Sequence, residues 1–181
     1  MLEIRRARRD DADFIADTYR PFVENHWASF ETEAPSPAII AERLSKAGDQ
    51  YPWLIAEDGS PLAYAYASPH RTRAAYQTSV DTAIYCANDA RGKGVGKMLY
   101  GKLLEVLTAQ NYTMAFGGVA MPNDASVCLH QVVGFELIGT YPNVGFKHAA
   151  WRDTTWWSKR LAEPVIPPEP IKPVSEVFNA G

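Results

Sequence analysis

Cysteine is scarce in this chain of 181 residues: Cys86 and Cys128 are too few and too isolated for a disulfide framework or for zinc-ligand spacing. They read as buried thiols in a reducing compartment, and no metal is expected. Long apolar runs are also missing. No stretch of about 18 apolar residues occurs, and Met1-Leu2-Glu3-Ile4-Arg5-Arg6 lacks the apolar segment of a signal peptide. The expectation is a cytoplasmic protein with no membrane partner. An excess of basic charge is absent too: 18 lysines and arginines face 21 aspartates and glutamates, for a net charge of −3. That balance speaks against a nucleic-acid partner, so any basic site has to be local. What the chain does have is 46% hydrophobic residues, enough to bury the core of a single domain without covalent or metal support.

Leu2 and Ile4 alternate with charged residues as in a first strand. Asp10 then supplies an N-cap to a helix carrying Ala12, Ile15, Tyr19 and Phe22 on one face. Ser36-Pro37 opens a second helix through Ile39, Ile40 and Leu44. Trp53 to Ala56 and Leu62 to Ala67 read as strands joined through the turn Asp58-Gly59, and Thr78 to Cys86 as another. A glycine-rich turn follows, then a helix with Leu99, Leu103, Val106 and Leu107 on one face. Met114 to Ala120 is a buried strand, Asn123 starts a short helix that Gly134 ends, and Phe135 to Ile138 and Thr155 to Leu161 are closing strands. Five prolines between Pro164 and Pro173 forbid regular structure and suggest an extended appendage. The order β-α-α-β-β-β-α-β-α-β-β predicts a mixed α/β fold with a mainly antiparallel sheet.

In Arg91-Gly92-Lys93-Gly94-Val95-Gly96, three glycines let successive backbone N–H groups face one point, and the following helix adds the positive end of its dipole. Lys97 and Lys102 add charge, so an anion such as a pyrophosphate fits. A Walker A loop would need Ser or Thr after Lys97, where Met98 stands, and a Rossmann fingerprint would need glycine at position 97. A glycine turn with solvated lysines is the alternative.

Arg91-x-x-Gly94-x-Gly96 between strand and helix resembles the acyl-CoA loop of the GNAT acetyltransferase superfamily. Tyr51-Pro52-Trp53-Leu54-Ile55-Ala56-Glu57, Pro122-Asn123-Asp124-Ala125-Ser126, Leu129-His130 and Lys147-His148 with Trp151 resemble phosphinothricin N-acetyltransferases in the same order. The resemblance covers residues 1–163, a GNAT domain, and leaves a tail at 164–181. It implies a homodimer, acetyl-CoA as co-substrate, and a thioester lying between two splayed central strands.

The resemblance also distributes roles. Asp81 takes the place of a glutamate that serves as base, one methylene shorter, so either a direct role or relay through water is open. Backbone N–H groups of Ile84, Tyr85 and Cys86 would hold the pantetheine arm and the oxyanion, with Asn123 and Ser126 on the next strand end. Asn123 is equally a helix N-cap. His130 stands where many relatives have a tyrosine that protonates the leaving thiolate, although a lone helical histidine is more often structural. Phe30 and Glu33 match a substrate-proximal loop, or else an exposed charged one.

Independently of family, Arg71, Thr72, Arg73 and Tyr76 just before the Asp81 strand suit a clamp on a carboxylate or phosphinate, with Thr82 and Ala83 beside them. The expected activity is direct acetyl transfer to the α-amine of phosphinothricin, methionine sulfoximine or sulfone, or a related amino acid. The rivals are acetylation of another small amine and, in a different class, a non-catalytic acyl-CoA-binding module.

Overall fold

A computed structural model describes residues 1–178. The chain runs β1 (Glu3–Arg6), α1 (Ala12–Glu24), α2 (Pro37–Ala47), β2 (Trp53–Glu57), β3 (Pro61–Pro69), β4 (Ser79–Cys86), α3 (Val95–Ala109), β5 (Met114–Ala120), α4 (Asp124–Val132), β6 (Glu136–Lys147), β7 (Ala150–Arg160) and α5 (Val174–Val177). Up to β7 this is the predicted order. The local signals act as expected in α2, where Ser36 accepts from the Ile39 N–H, and after α4, where Gly134 takes φ +87°.

Seven strands form one sheet in the order β1-β2-β3-β4-β5-β7-β6. Every pairing is antiparallel except β4 with β5. That parallel pair holds only at Ser79↔Met114, Val80↔Ala115 and Asp81↔Phe116; beyond Asp81 the strands part. The splay is the feature that makes a site. One face of the sheet packs Leu54, Ala65 and Val80 against Leu99, Leu103 and Leu107 of α3. The other packs Ile55 and Tyr64 against Ile15 and Tyr19 of α1 and Ile40 of α2. Each fully buried Leu or Ile contributes about 1.5–3 kcal/mol, so the two layers brace the central strands from both sides.

Four expectations are corrected. Asp10 is not the cap of α1, because a short 3-10 turn, Arg9–Asp11, precedes that helix. Asp11 closes the turn by accepting from both terminal nitrogens of Arg5, at 2.7 and 2.8 Å, and from the Arg8 N–H at 2.6 Å. The closing strands are far longer than 135–138 and 155–161. Register shifts at Leu137/Gly139 and Tyr141/Gly145 interrupt the alternation that would have marked them. Cys86 is half-buried and Cys128 exposed, so neither is a buried thiol. Finally, the proline-rich tail is no loose appendage. Val174 is fully buried and its N–H donates to the Asp49 carbonyl at 2.7 Å, while the Gln110 side chain donates to the Lys172 carbonyl at 2.8 Å. Residues 179–181 of that tail lie outside the described residues.

Candidate active site

Where β4 and β5 diverge, a cavity of about 450 Å³ opens between Ala83, Ile84 and Tyr85 on one side and Gly118, Val119 and Ala120 on the other. Asn123, Ser126, Leu129 and His130 of the α4 segment close one flank, and Phe22, Asn25 and His26 at the end of α1 close the other. Trp27 ties the two flanks together, since its indole N–H donates to the Pro122 carbonyl at 2.9 Å.

Asn88 and Arg91 stand at the far end of the cavity, where the glycine turn leads into α3. Gly92 and Gly94 both have positive φ, +73° and +79°, and a Cβ on either would meet nothing within 4 Å. Gly94 is the N-cap of α3 with no side chain capping it, so the first-turn N–H groups remain available to an anion. Gly96 has the opposite reason to be small, because its Cβ would press on the Cys86 sulfur at 3.4 Å. Arg91 lies over the Phe22 ring at 5.0 Å. Lys93 is exposed beside the turn, whereas Lys97 lies on the flank of α3 with Gly101 and Leu104, apart from the cavity.

Alternation along β4 sends Asp81, Ala83 and Tyr85 to the α1–α2 face and Thr82 to the α3–α4 face. Asp81 is mostly buried, and burial pushes its carboxyl above the usual aspartate value, with His70 opposing. Its Oδ1 lies 2.6 Å from Nδ1 of His70, a residue that the sequence did not single out. The His70 ring stacks on Phe116 of β5 at 4.2 Å and meets the Tyr76 ring edge-on at 5.8 Å. Arg71 donates to the His70 carbonyl at 2.6 Å and lies 5.9 Å from the centre of the Trp156 ring. Asp81, His70, Arg71 and Tyr76 therefore gather beside the last β4–β5 pair, Asp81↔Phe116, and are not among the residues that line the cavity. Thr72 and Arg73 are exposed and make no side-chain hydrogen bond among the described residues.

On the opposite face, Thr82 Oγ1 lies 2.8 Å from the Tyr100 hydroxyl and donates to the Phe116 carbonyl at 3.0 Å. The Tyr100 hydroxyl is 3.2 Å from Nε2 of His130, whose Nδ1 donates to the Ser126 carbonyl at 2.8 Å. Burial lowers the His130 pKa. With the His130 Nδ1 proton on the Ser126 carbonyl and the Thr82 proton on the Phe116 carbonyl, the single Tyr100 hydroxyl proton serves either Nε2 of His130 or Thr82 Oγ1. Both ring nitrogens of His130 are thereby engaged within the fold. Thr82 lines the cavity but is committed to the same internal chain.

Phe30 lies against Gly145 of β6 and is outside the cavity; Glu33 is exposed. Glu31, not Glu33, does the holding in that loop. It pairs with both terminal nitrogens of Arg43 at 2.8 and 2.9 Å, and Arg43 depresses its pKa. Lys147, buried, donates to the carbonyls of Ser29 and Glu31 at 2.6 and 2.8 Å.

Residues 4–156 match the acetyltransferase (GNAT) domain family. The chain belongs to the GNAT acetyltransferase family. It is 33% identical over 97% of its length to a phosphinothricin N-acetyltransferase of Streptomyces viridochromogenes, covering 96% of that protein. It is 32% identical over 87% of its length to an L-methionine sulfoximine/L-methionine sulfone acetyltransferase of Pseudomonas aeruginosa, covering 94% of it. The crystal structure of a GNAT phosphinothricin acetyltransferase from Sinorhizobium meliloti, in complex with acetyl-CoA, superposes with a TM-score of 0.87. Identity there is 36%, with 98% of this chain and 95% of that chain covered.

This GNAT chain is an N-acetyltransferase with acetyl-CoA as co-substrate, and its residues fit that molecule. The uncapped α3 N-terminus suits a pyrophosphate, and the β4 edge left unpaired after Asp81 suits an amide-bearing arm. Among the described residues no cluster of three or more metal-ligating side chains occurs, and no helix is long and apolar enough to cross a membrane. His26 joins the site although the sequence gave no periodic or spacing signal for it, and Phe22 joins it although its helical spacing marked it only as part of an apolar face. His70 was visible only as one residue before Arg71.

Proposed function

We propose that this enzyme transfers the acetyl group of acetyl-CoA to the α-amine of phosphinothricin, methionine sulfoximine or sulfone, or a closely related amino acid. The observation that carries the reading is the cluster beside the β4–β5 fork: a half-buried carboxylate paired with an imidazole, and a guanidinium within the same few residues. Amide formation needs an uncharged amine beside the thioester, and Asp81 with His70 lies where the strands begin to part. Arg71 adds a planar donor for the acceptor's acidic group. The glycine turn from Arg91 to Gly96 binds the pyrophosphate. Backbone N–H groups of Ile84 to Cys86 hold the pantetheine arm and the developing oxyanion, and Asn123 and Ser126 line the same passage. His130 braces Tyr100 and Thr82 beneath the passage rather than supplying a proton.

The relatives' substrates support this choice of acceptor, because the chain spans nearly the full length of proteins acting on phosphinothricin and methionine sulfoximine. We further take the working form to be a cytoplasmic homodimer. β6 is an edge strand, and Leu137, Ile138, Tyr141, Val144, Phe146 and Trp151 of the β6–β7 hairpin are each more than half exposed. The test is an acceptor screen that follows CoA release across amino acids, their sulfoximine, sulfone and phosphinate analogues, polyamines and amino-acid amides. Turnover confined to acceptors with a free acidic group supports the reading. Turnover of polyamines or amides at equal efficiency overturns it.

A further inference from the structure

We infer that His70, through Nε2, is the group that removes the proton from the acceptor amine, and that Asp81 acts on the reaction by positioning His70. The inference rests on the acetyl-transfer reading above and assigns a catalytic residue within it. Asp81 reaches His70 at 2.6 Å through Nδ1, which leaves Nε2 as the outward nitrogen of the ring. Nε2 has no hydrogen-bond partner among the described residues. It is also not fully enclosed: the His70 side chain keeps 13% of its surface exposed, and among the described residues the buried side-chain polar atoms without a partner are Gln110 Oε1, Arg152 Nε and Trp156 Nε1. That opening is where we place the acceptor amine. The ring is fixed on two sides, stacked on Phe116 at 4.2 Å and edge-on to Tyr76 at 5.8 Å, so the pair has one geometry to offer.

The carboxylate alone is poorly placed for the task. An aspartate carries its oxygens one methylene closer to the backbone than a glutamate would, and one of those oxygens is already engaged by Nδ1. Adding an imidazole in series extends the basic site outward from the strand and offers Nε2 as the proton-accepting atom. A carboxylate on Nδ1–H also fixes the tautomer with Nε2 free, as in a nucleophile–histidine–aspartate arrangement, with the amine in place of the nucleophile.

The step balances without a further reagent. An N–H bond of the acceptor ammonium breaks and its proton goes to Nε2, giving an imidazolium paired with the Asp81 carboxylate. The freed lone pair forms the C–N bond to the thioester carbonyl carbon, the C–S bond breaks, and the sulfur leaves with its electron pair and takes the second amine proton. The imidazolium returns its proton to solvent. Charged and titratable groups around the pair are Arg71, Tyr76, Tyr66 of β3 and Tyr100 of α3.

Two measurements decide it. Nitrogen NMR of histidine-labelled protein, taken at a pH where His70 is neutral, should find Nδ1 protonated and Nε2 bare. The reverse tautomer overturns the inference whatever the acceptor. Kinetically, His70→Asn should lower kcat by about 100-fold or more with acetyl-CoA affinity unchanged, and added imidazole should restore part of the activity of His70→Ala. Asp81→Asn should let the Nε2-protonated tautomer appear in the same NMR measurement, since the carboxylate that holds the Nδ1 proton is gone. If His70→Asn turns over at the wild-type rate while Asp81→Asn does not, Asp81 is the base and the inference fails. A wild type that acetylates none of the acceptors defeats the functional reading instead, and the tautomer measurement still decides the role of His70.

Discussion

The imidazole of His130 fills the space that a Cβ at Gly117 would need, so the two residues can coexist only because position 117 has no side chain. The Tyr100 hydroxyl lies between His130 and Thr82 at the base of the fork. Gly117→Ala should push the ring off this chain and destabilise the fold by about 1–3 kcal/mol, the usual cost of overpacking. Denaturant unfolding checks the magnitude. His130→Gln, which keeps a polar side chain there, should retain turnover within about tenfold, because both ring nitrogens of His130 are engaged within the fold, by Ser126 and Tyr100. A loss of about 100-fold in a stably folded His130→Gln would return His130 to the chemistry.

At the glycine turn, Gly94→Asp should abolish acetyl-CoA binding in isothermal calorimetry. The substitution forces a β-carbon onto a backbone at φ +79° and places a negative charge where a pyrophosphate approaches the α3 N-terminus. Gly94→Ala carries the strain without the charge and should bind more weakly than wild type but measurably. Equal affinity for all three proteins would move the phosphate site elsewhere.

These two glycines show what a sequence makes legible. Gly94 sits in a local pattern, Arg91-Gly92-Lys93-Gly94-Val95-Gly96, whose geometry is set within six residues and can be read directly. Gly117 is explained only by a ring thirteen positions later, brought under it by the packing of α4 on β5. His70 is a similar case, because its meaning depends on Asp81 across the β3–β4 connection and on Phe116 across the parallel pair. The same limit hid the β6–β7 hairpin, whose bulges break the alternation, and the docking of Val174 with Ile171, Val177 and Phe178, apolar residues at the end of a proline-rich stretch that show no helical or strand period. By contrast, α2, β5 and the α4 boundaries follow from caps and apolar runs next to one another in the chain.

The Glu31–Arg43 pair should make the loop at 26–33 sensitive to acid. Arg43 holds the Glu31 pKa below its ordinary value of 4.5, so the stabilisation is complete above that value and is lost as pH falls through the depressed one. Thermal unfolding of wild type and Glu31→Gln should differ at pH 7 and converge in acid. A difference that stays constant from pH 7 to 3 would mean the pair contributes nothing that depends on ionisation.

For the proposed homodimer, Phe146 and Trp151 are the obvious contacts, their rings 5.3 Å apart and each about 60% exposed (61% and 62%). Phe146→Asp should shift the protein toward monomer in sedimentation velocity, since a charge at the core of such a patch has to be desolvated on association. A wild type that sediments as a monomer at all concentrations defeats the dimer outright.

Arg71 is the stronger candidate of the two arginines for reading the acceptor's acidic group. It donates to the His70 carbonyl and lies beside Trp156, whereas Arg73 is exposed and makes no side-chain hydrogen bond among the described residues. A charged hydrogen bond of this kind contributes about 1.5–3 kcal/mol, so Arg71→Ala should lower kcat/KM for an amino-acid acceptor on the order of 10- to 100-fold. Arg73→Ala should change it little. Lysine at position 71 should restore only part of the loss, because a point charge cannot present two parallel N–H groups to a carboxylate or phosphinate. Acetyl-CoA affinity should stay at the wild-type level in all three variants, since the pyrophosphate site lies at the far end of the cavity. An amino-acid amide supplies the control: it lacks the acidic group, so Arg71→Ala and wild type should acetylate it at similar, low efficiency. If Arg71→Ala lowers activity toward the amide as much as toward the free acid, the residue supports the His70 backbone and the acceptor's acidic group is read elsewhere.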